Sequence, residues 1–192
     1  YMNQKDGTFK TIKVPYFKKI DEFGNIRYHD MHGVTFADVN HDGYPDVYIQ
    51  IGGDMGHSEG KENVLFINHQ GTIVFENKAA EYQMKDSLGR GRSTLFFDQN
   101  KDDYVDFFST NISRNDGLFN SSLYSYQAGL ETFSRNQNLG LSDYSIRTSS
   151  MMQSRQKNTQ QLINVTEVTD LMEVYDYSQV PFKKVYEKKL FG

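Results

Sequence analysis

The chain has 192 residues, a formal net charge of −4, 14% aromatic residues, and neither Trp nor Cys. That length can bury one real core, and the composition fits a β-rich protein without a disulfide scaffold, a thiolate metal site or a cysteine nucleophile. The acidic balance gives no general attraction to nucleic acid or to an anionic membrane, and no apolar run is long enough to span a bilayer.

Residues 1–32 read as the outer half of a four-stranded unit followed by a long connecting loop over 13–32. The Asp6-Gly7 step is the hairpin signal in this half. Residues 33–92 hold a strand over 34–37, an acidic loop over 38–46 and a strand over 47–51. A polar loop, a strand over 63–68, a Gln70-Gly71 turn and a strand over 72–76 complete the unit. Residues 93–147 repeat the order with strands over 94–97, 107–110, 122–126 and 130–133. Residues 148–192 follow by alignment, since a shift of 55 lays Ser150-Met-Met on Leu95-Phe-Phe and 162–165 on 107–110. Strands over 171–175 and 181–185 complete this last unit. Self-similarity at such a period points to a propeller or solenoid of four-stranded meanders. The expected fold is all-β, about three and a half such units, which the family resemblance given below implies to be blades of a β-propeller.

The acidic loops carry the chemistry. Asp38, Asn40, Asp42 and Asp46 stand at positions one, three, five and nine of the first loop, and the main-chain carbonyl of Tyr44 falls at position seven. This spacing lets oxygen ligands converge on a hard cation. Gly43 sits where the chain must turn sharply. Sixty residues on, Asp98, Asn100, Asp102, Tyr104 and Asp106 repeat the set, with Asp103 replacing the glycine. An EF-hand needs a bidentate Glu at position twelve between two helices, whereas these loops have Ile49 and Ser109 there, between strands. The third unit has Gln153, Arg155, Lys157 and Gln161 at the ligand positions and is expected to bind no cation. Two Ca2+ per chain is the resulting expectation, against the bland alternative of solvated Asp/Asn turns.

The segments His32-Gly-Val-Thr-Phe-Ala-Asp-Val-Asn-His-Asp-Gly-Tyr-Pro-Asp-Val-Tyr-Ile49, Asn63-Val-Leu-Phe-Ile-Asn68 and Gly89-Arg-Gly-Arg-Ser93 together resemble FG-GAP/VCBS propeller repeats. Such repeats occur in integrin α subunits and many bacterial surface proteins. The nearest flavour is the ASPIC/UnbV and cartilage acidic protein group. The resemblance implies calcium loops that brace blades and do no chemistry. Three and a half blades cannot close the usual ring, so the remaining blades are expected from a longer protein or from self-assembly.

In a meander of this kind the metal loops share one rim, and the longer loops share the other. Those loops direct Tyr16, Arg27, Tyr28, His29, Arg90, Arg92, Arg114, Tyr144 and Arg147 to a candidate ligand face. Arg90 and Arg92 equally suit a role in holding the blade junction. His29 and His32, with Asp54 or His57, offer a weaker transition-metal alternative. Asp30, Glu59 and Asp143 have no spacing that pairs them for acid–base work, and no Gly-x-Ser-x-Gly elbow occurs. Asn111, Asn120 and Asn164 head glycosylation sequons. The leading expectation is a non-catalytic, calcium-binding segment of an extracellular, cell-surface or periplasmic protein that recognises a protein or glycan. The alternative is the propeller region of a polysaccharide-acting enzyme whose loops bind substrate.

Overall fold

The computed structural model describes residues 2–11, 13–14, 17–20, 23–52, 62–87, 89–112, 120–141, 145–154, 159–166 and 170–190. Strands β1 (Met2–Asn3) and β2 (Phe9–Lys10) form the hairpin expected at Asp6-Gly7, with Lys5 and Gly7 at positive φ. Strands β3 (Lys18–Ile20) and β4 (Ile26–Tyr28) form a second hairpin inside the stretch expected to be a connecting loop. Its turn uses Gly24 at φ +82°, and its strands are too short to declare an alternating pattern.

Three sheets follow. Strands β5 (Met31–Ala37), β6 (Asp46–Ile51) and β7 (Val64–Phe66) form the first, and β8 (Asn68–His69) pairs with β9 (Thr72–Ile73) beyond its end. The fourth strand expected over 72–76 is therefore short. Asn77 explains this by substituting for ladder bonds: its Oδ1 accepts the N–H of Leu65 at 3.0 Å and its Nδ2 donates to the carbonyl of Asn63 at 3.1 Å. The chain still runs alongside β7 through Val74 N–H to Ile67 O and Lys78 N–H to Leu65 O.

The second sheet is a four-stranded meander of β10 (Gly91–Phe97), β11 (Asp106–Asn111), β12 (Ser122–Gln127) and β13 (Thr132–Asn136). The third is β14 (Ile146–Ser154), β15 (Thr159–Thr166), β16 (Leu171–Asp176) and β17 (Lys183–Lys189). Equivalent pairs are Phe36↔Val47, Phe96↔Phe107 and Met151↔Leu162, which reproduces the repeat spacing read in the sequence. Each first strand also carries a bulge at the matching place, between Met31 and Gly33, Gly91 and Ser93, and Ile146 and Thr148.

Alternation along the strands puts one hydrophobic face toward each neighbour. Phe107 joins Tyr48, Leu65, Met84 and Tyr124 between the first two sheets, whereas the adjacent Phe108 joins Leu139, Ile146, Leu162 and Tyr175 between the second and third. On the far face of the first sheet, Val47, Ile49, Ile51, Val64 and Phe66 are capped by Val14 and Phe17 from the amino-terminal segment. Phe107 stacks on Tyr124 at 4.3 Å and 7°, and burial of each such ring contributes about 1.5–3 kcal/mol. First strands lie beside one another, β5 next to β10 and β10 next to β14. Among the described residues no helix is long and apolar enough to cross a membrane.

Candidate metal loops and the opposite end of the sheets

The two acidic loops share a set of hydrogen bonds, to which the second adds Lys101 N–H to Asp98 Oδ1 at 2.6 Å. In the first, Asp38 Oδ1 and Oδ2 accept the N–H groups of Asp42 (3.0 Å) and Gly43 (2.8 Å), Asn40 Oδ1 accepts Asp42 N–H, and Asp42 Oδ1 accepts Tyr44 N–H. In the second, Asp98 accepts the N–H groups of Asp102 and Asp103, Asn100 accepts Asp102 N–H, and Asp102 accepts Tyr104 N–H. Gly43 has φ +88° and Asp103 has φ +68°, so both occupy the left-handed turn position assigned to them from sequence.

The ninth-position acids sit differently. Asp46 and Asp106 are fully buried, and each carboxylate accepts two main-chain N–H groups: Val39 and Asn68 for Asp46, Gln99 and Tyr126 for Asp106. Burial raises the pKa of both carboxyls, the N–H donors lower it, and the neighbouring loop acids raise it further. These two residues tie each loop to the third strand or its continuation.

The donor set is all oxygen, which suits a hard cation. A carboxylate has about four lone-pair sites, so one that accepts one or two N–H groups can still meet a cation. Among the described residues no group of three acidic or histidine side chains is drawn together around one point. Calcium binding would therefore require Asp38, Asn40, Asp42, Asp46 and the Tyr44 carbonyl, and their counterparts ending in Tyr104 O and Asp106, to close further on the ion.

Between the loops lies an aromatic joint. The His41 ring meets Tyr104 edge-on at 4.5 Å and Tyr126 at 5.0 Å, and Tyr104 stacks on Tyr126 at 5.1 Å. In the third unit the ladder runs on to Ser154↔Thr159, two pairs beyond Met152↔Gln161. Gln161 takes the register position of Asp46 and Asp106 and is buried. Arg155 and Lys157 lie outside the described residues.

At the opposite end of the sheets the expected ligand residues differ in exposure. Tyr28 is exposed and Arg147 is exposed, whereas Arg90 and Arg92 are half-buried, and the Nε of Arg90 is enclosed at the junction. Arg92 and Arg147 fall at the bulges of β10 and β14, where β5 has His32; the His32 Nε2 lies 3.0 Å from Asp30 Oδ2. Arg27 is placed in β4 by its backbone alone; Tyr16, Asp54, His57, Glu59, Arg114, Asp143 and Tyr144 lie outside the described residues. Asn111 and Asn164 are fully buried, which withdraws both sequons from a glycosylating enzyme in the folded chain.

Sequence reading missed the polar pocket at this end. Asp86, in the segment linking the first two sheets, has its carboxylate fully buried, 3.3 Å from the Nη2 of Arg135 on β13, and accepts the Asn111 Nδ2 at 2.8 Å. The sequence separation of 49 between Asp86 and Arg135 hides the pair from any motif. Burial, reinforced by the Asp86 charge, pushes the Tyr124 hydroxyl far above its ordinary value, so it stays a neutral donor.

Fold and loops together define an all-β protein of consecutive antiparallel sheets, each of the first two carrying an acidic loop between its first two strands. No family model matches the chain, and no curated protein matches it.

Proposed function

We propose that the chain is a calcium-braced repeat region of an extracellular or surface β-propeller of the FG-GAP/VCBS kind, and that it recognises a protein or glycan without catalysis. One observation carries this reading: two loops with calcium-loop ligand spacing recur in successive sheets with the same N–H bonds to Asp38 and Asp98, Asn40 and Asn100, and Asp42 and Asp102. Repetition of a whole hydrogen-bond set argues for a shared ligand more strongly than Asp and Asn in one turn. The first strands lie side by side, as blades around an axis require, and the exposed Val34 and Phe36 of β5 are apolar surface that a further blade would cover. Native mass spectrometry in calcium tests the reading: two bound ions are expected, and a chain that stays metal-free, or binds a third ion, refutes it.

A further inference from the structure

A cavity of about 210 Å3 opens between residues 83–87 and the β12–β13 pair. We propose that it binds a small carboxylated saccharide, a single uronate ring, through Arg135 and Lys85. This deepens the recognition reading of that end of the sheets and does not depend on the calcium loops.

The argument starts from Arg135. Its Nε donates to Ser122 Oγ at 2.9 Å, its Nη2 donates to the Asn120 carbonyl at 3.3 Å and faces Asp86, and its guanidinium lies 5.8 Å from the centre of the Tyr124 ring. Asp86 cannot reach a ligand, because its side chain has no exposed surface. One of its oxygens lacks any hydrogen bond and depends on the charge of Arg135. Moving the guanidinium would leave a buried carboxylate uncompensated, so Arg135 is held in place before any ligand arrives.

Several lining donors remain unengaged. Arg135 Nη1, the Gln83 amide and the Ser87 hydroxyl make no hydrogen bond among the described residues. Among the described residues Lys85 is tied to Glu62 alone, at 3.4 Å, with both side chains about half exposed, and such a pair is weak. The cavity thus offers the free edge of a guanidinium whose charge balances Asp86, an ammonium weakly held by Glu62, and several neutral donors, while the one carboxylate among its lining residues is enclosed. That lining selects an acceptor-rich anion and opposes an amine. A guanidinium edge matches a flat carboxylate, and the amide and hydroxyl match sugar hydroxyls. The volume lies below the roughly 300–1,000 Å3 of drug-sized sites, which limits the occupant to one ring.

Calorimetric titration of the full chain with glucuronate, glucose and inorganic phosphate tests the proposal, in calcium and in chelator. Saturable glucuronate binding with a Kd on the order of 1 mM is expected in both conditions, at least about tenfold tighter than for glucose or phosphate. Lys85→Gln, a surface change that leaves folding alone, should weaken it roughly fivefold to tenfold. Arg135→Lys keeps a cation for Asp86 and should weaken it as much. The proposal is overturned by absence of saturation up to about 10 mM glucuronate, by glucose or phosphate binding as tightly, or by wild-type affinity in both variants. A chain that melts calcium-dependently yet ignores glucuronate loses this site alone, and one that binds glucuronate without binding calcium loses only the metal reading.

Discussion

Asp46 accepts the backbone N–H of Asn68 at 2.8 Å, across 22 residues, while its second oxygen holds the N–H of Val39 at 2.9 Å. Asp46→Ala would leave both N–H groups unpaired in a buried place, and each such loss costs about 1–3 kcal/mol. The charge is itself disfavoured by burial, so relief of that cost offsets part of the loss. A net destabilisation of about 2–4 kcal/mol is expected in urea titration of the metal-free chain. Asp106→Ala should behave alike through Tyr126 and Gln99.

Asp42 separates bracing by the chain from bracing by a cation. It is exposed and holds only Tyr44 N–H through Oδ1 and the Asn40 amide through Oδ2. In chelator Asp42→Ala should therefore cost no more than about 1 kcal/mol. Calcium at a hundredfold over Kd should stabilise the wild type by about 2.7 kcal/mol per site, and Asp42→Ala should forfeit one site's share. Melting curves of both proteins in calcium and in chelator give the comparison. Identical wild-type curves in the two conditions would end the calcium reading, whereas Asp46→Ala should be weakened in both.

Glu173, fully buried in β16, is held by Lys184 Nζ at 3.2 Å and by the Tyr175 hydroxyl at 2.9 Å. Lys184→Met strands the carboxylate with a single donor, an expected loss of about 3 kcal/mol, whereas Glu187→Gln on the exposed side should cost under about 1 kcal/mol. Hydrogen bonds to Glu187 and then Glu173 hold the Lys184 pKa above 10.5. The folded chain thus keeps this proton more firmly than the unfolded chain. Its contribution is complete below pH 10.5 and is lost as pH rises through the higher folded value. The stability gap between wild type and Lys184→Met, measured by urea titration, should be flat at neutral pH and narrow in the alkaline limb. A gap that widened there would contradict the assignment.

What could be read in advance was what is local. The acidic loops are legible because most of their bonding partners lie within seven residues, and the repeat aligned the third unit despite its lost acids. The distant partners are the Asn68 and Tyr126 N–H groups, the Asn68 amide on Pro45 O and the Tyr177 carbonyl on the Gln99 amide. The second-sheet meander followed from its self-similarity to the first unit and from the turn at Gly129. Asn77 was opaque, because an amide that replaces ladder bonds looks in sequence like any loop Asn. The β3–β4 hairpin was hidden by strands of three residues. The place of Arg92 at a bulge was not legible either, because a bulge is set by register across two strands. The Asp86 and Arg135 pair joins two sheets, so only their packing could reveal it.

Gly91 opens β10 where it passes the end of the first sheet, and its place is governed by space, not by φ. A Cβ built there would stand 3.0 Å from the Cβ of Gln50 and 3.1 Å from the main-chain oxygen of Ile51. Neither neighbour can give way cheaply. Gln50 is fully buried with its Nε2 bonded to Ser109 Oγ at 2.6 Å, and the Ile51 N–H is held by Asn63 Oδ1 at 2.9 Å. Gly91→Ala must therefore push the first and second sheets apart along their seam, and overpacking of this kind costs typically about 1–3 kcal/mol. Gly129 supplies the control: it lies in the turn between β12 and β13 with nothing within 4 Å of its would-be Cβ, and its φ is not positive. Gly129→Ala should be neutral or stabilise by up to about 1 kcal/mol, by restricting the unfolded chain. Denaturation midpoints of the two variants at a common m-value decide the matter, and equal midpoints would mean that the seam between the sheets does not depend on the missing side chain at Gly91.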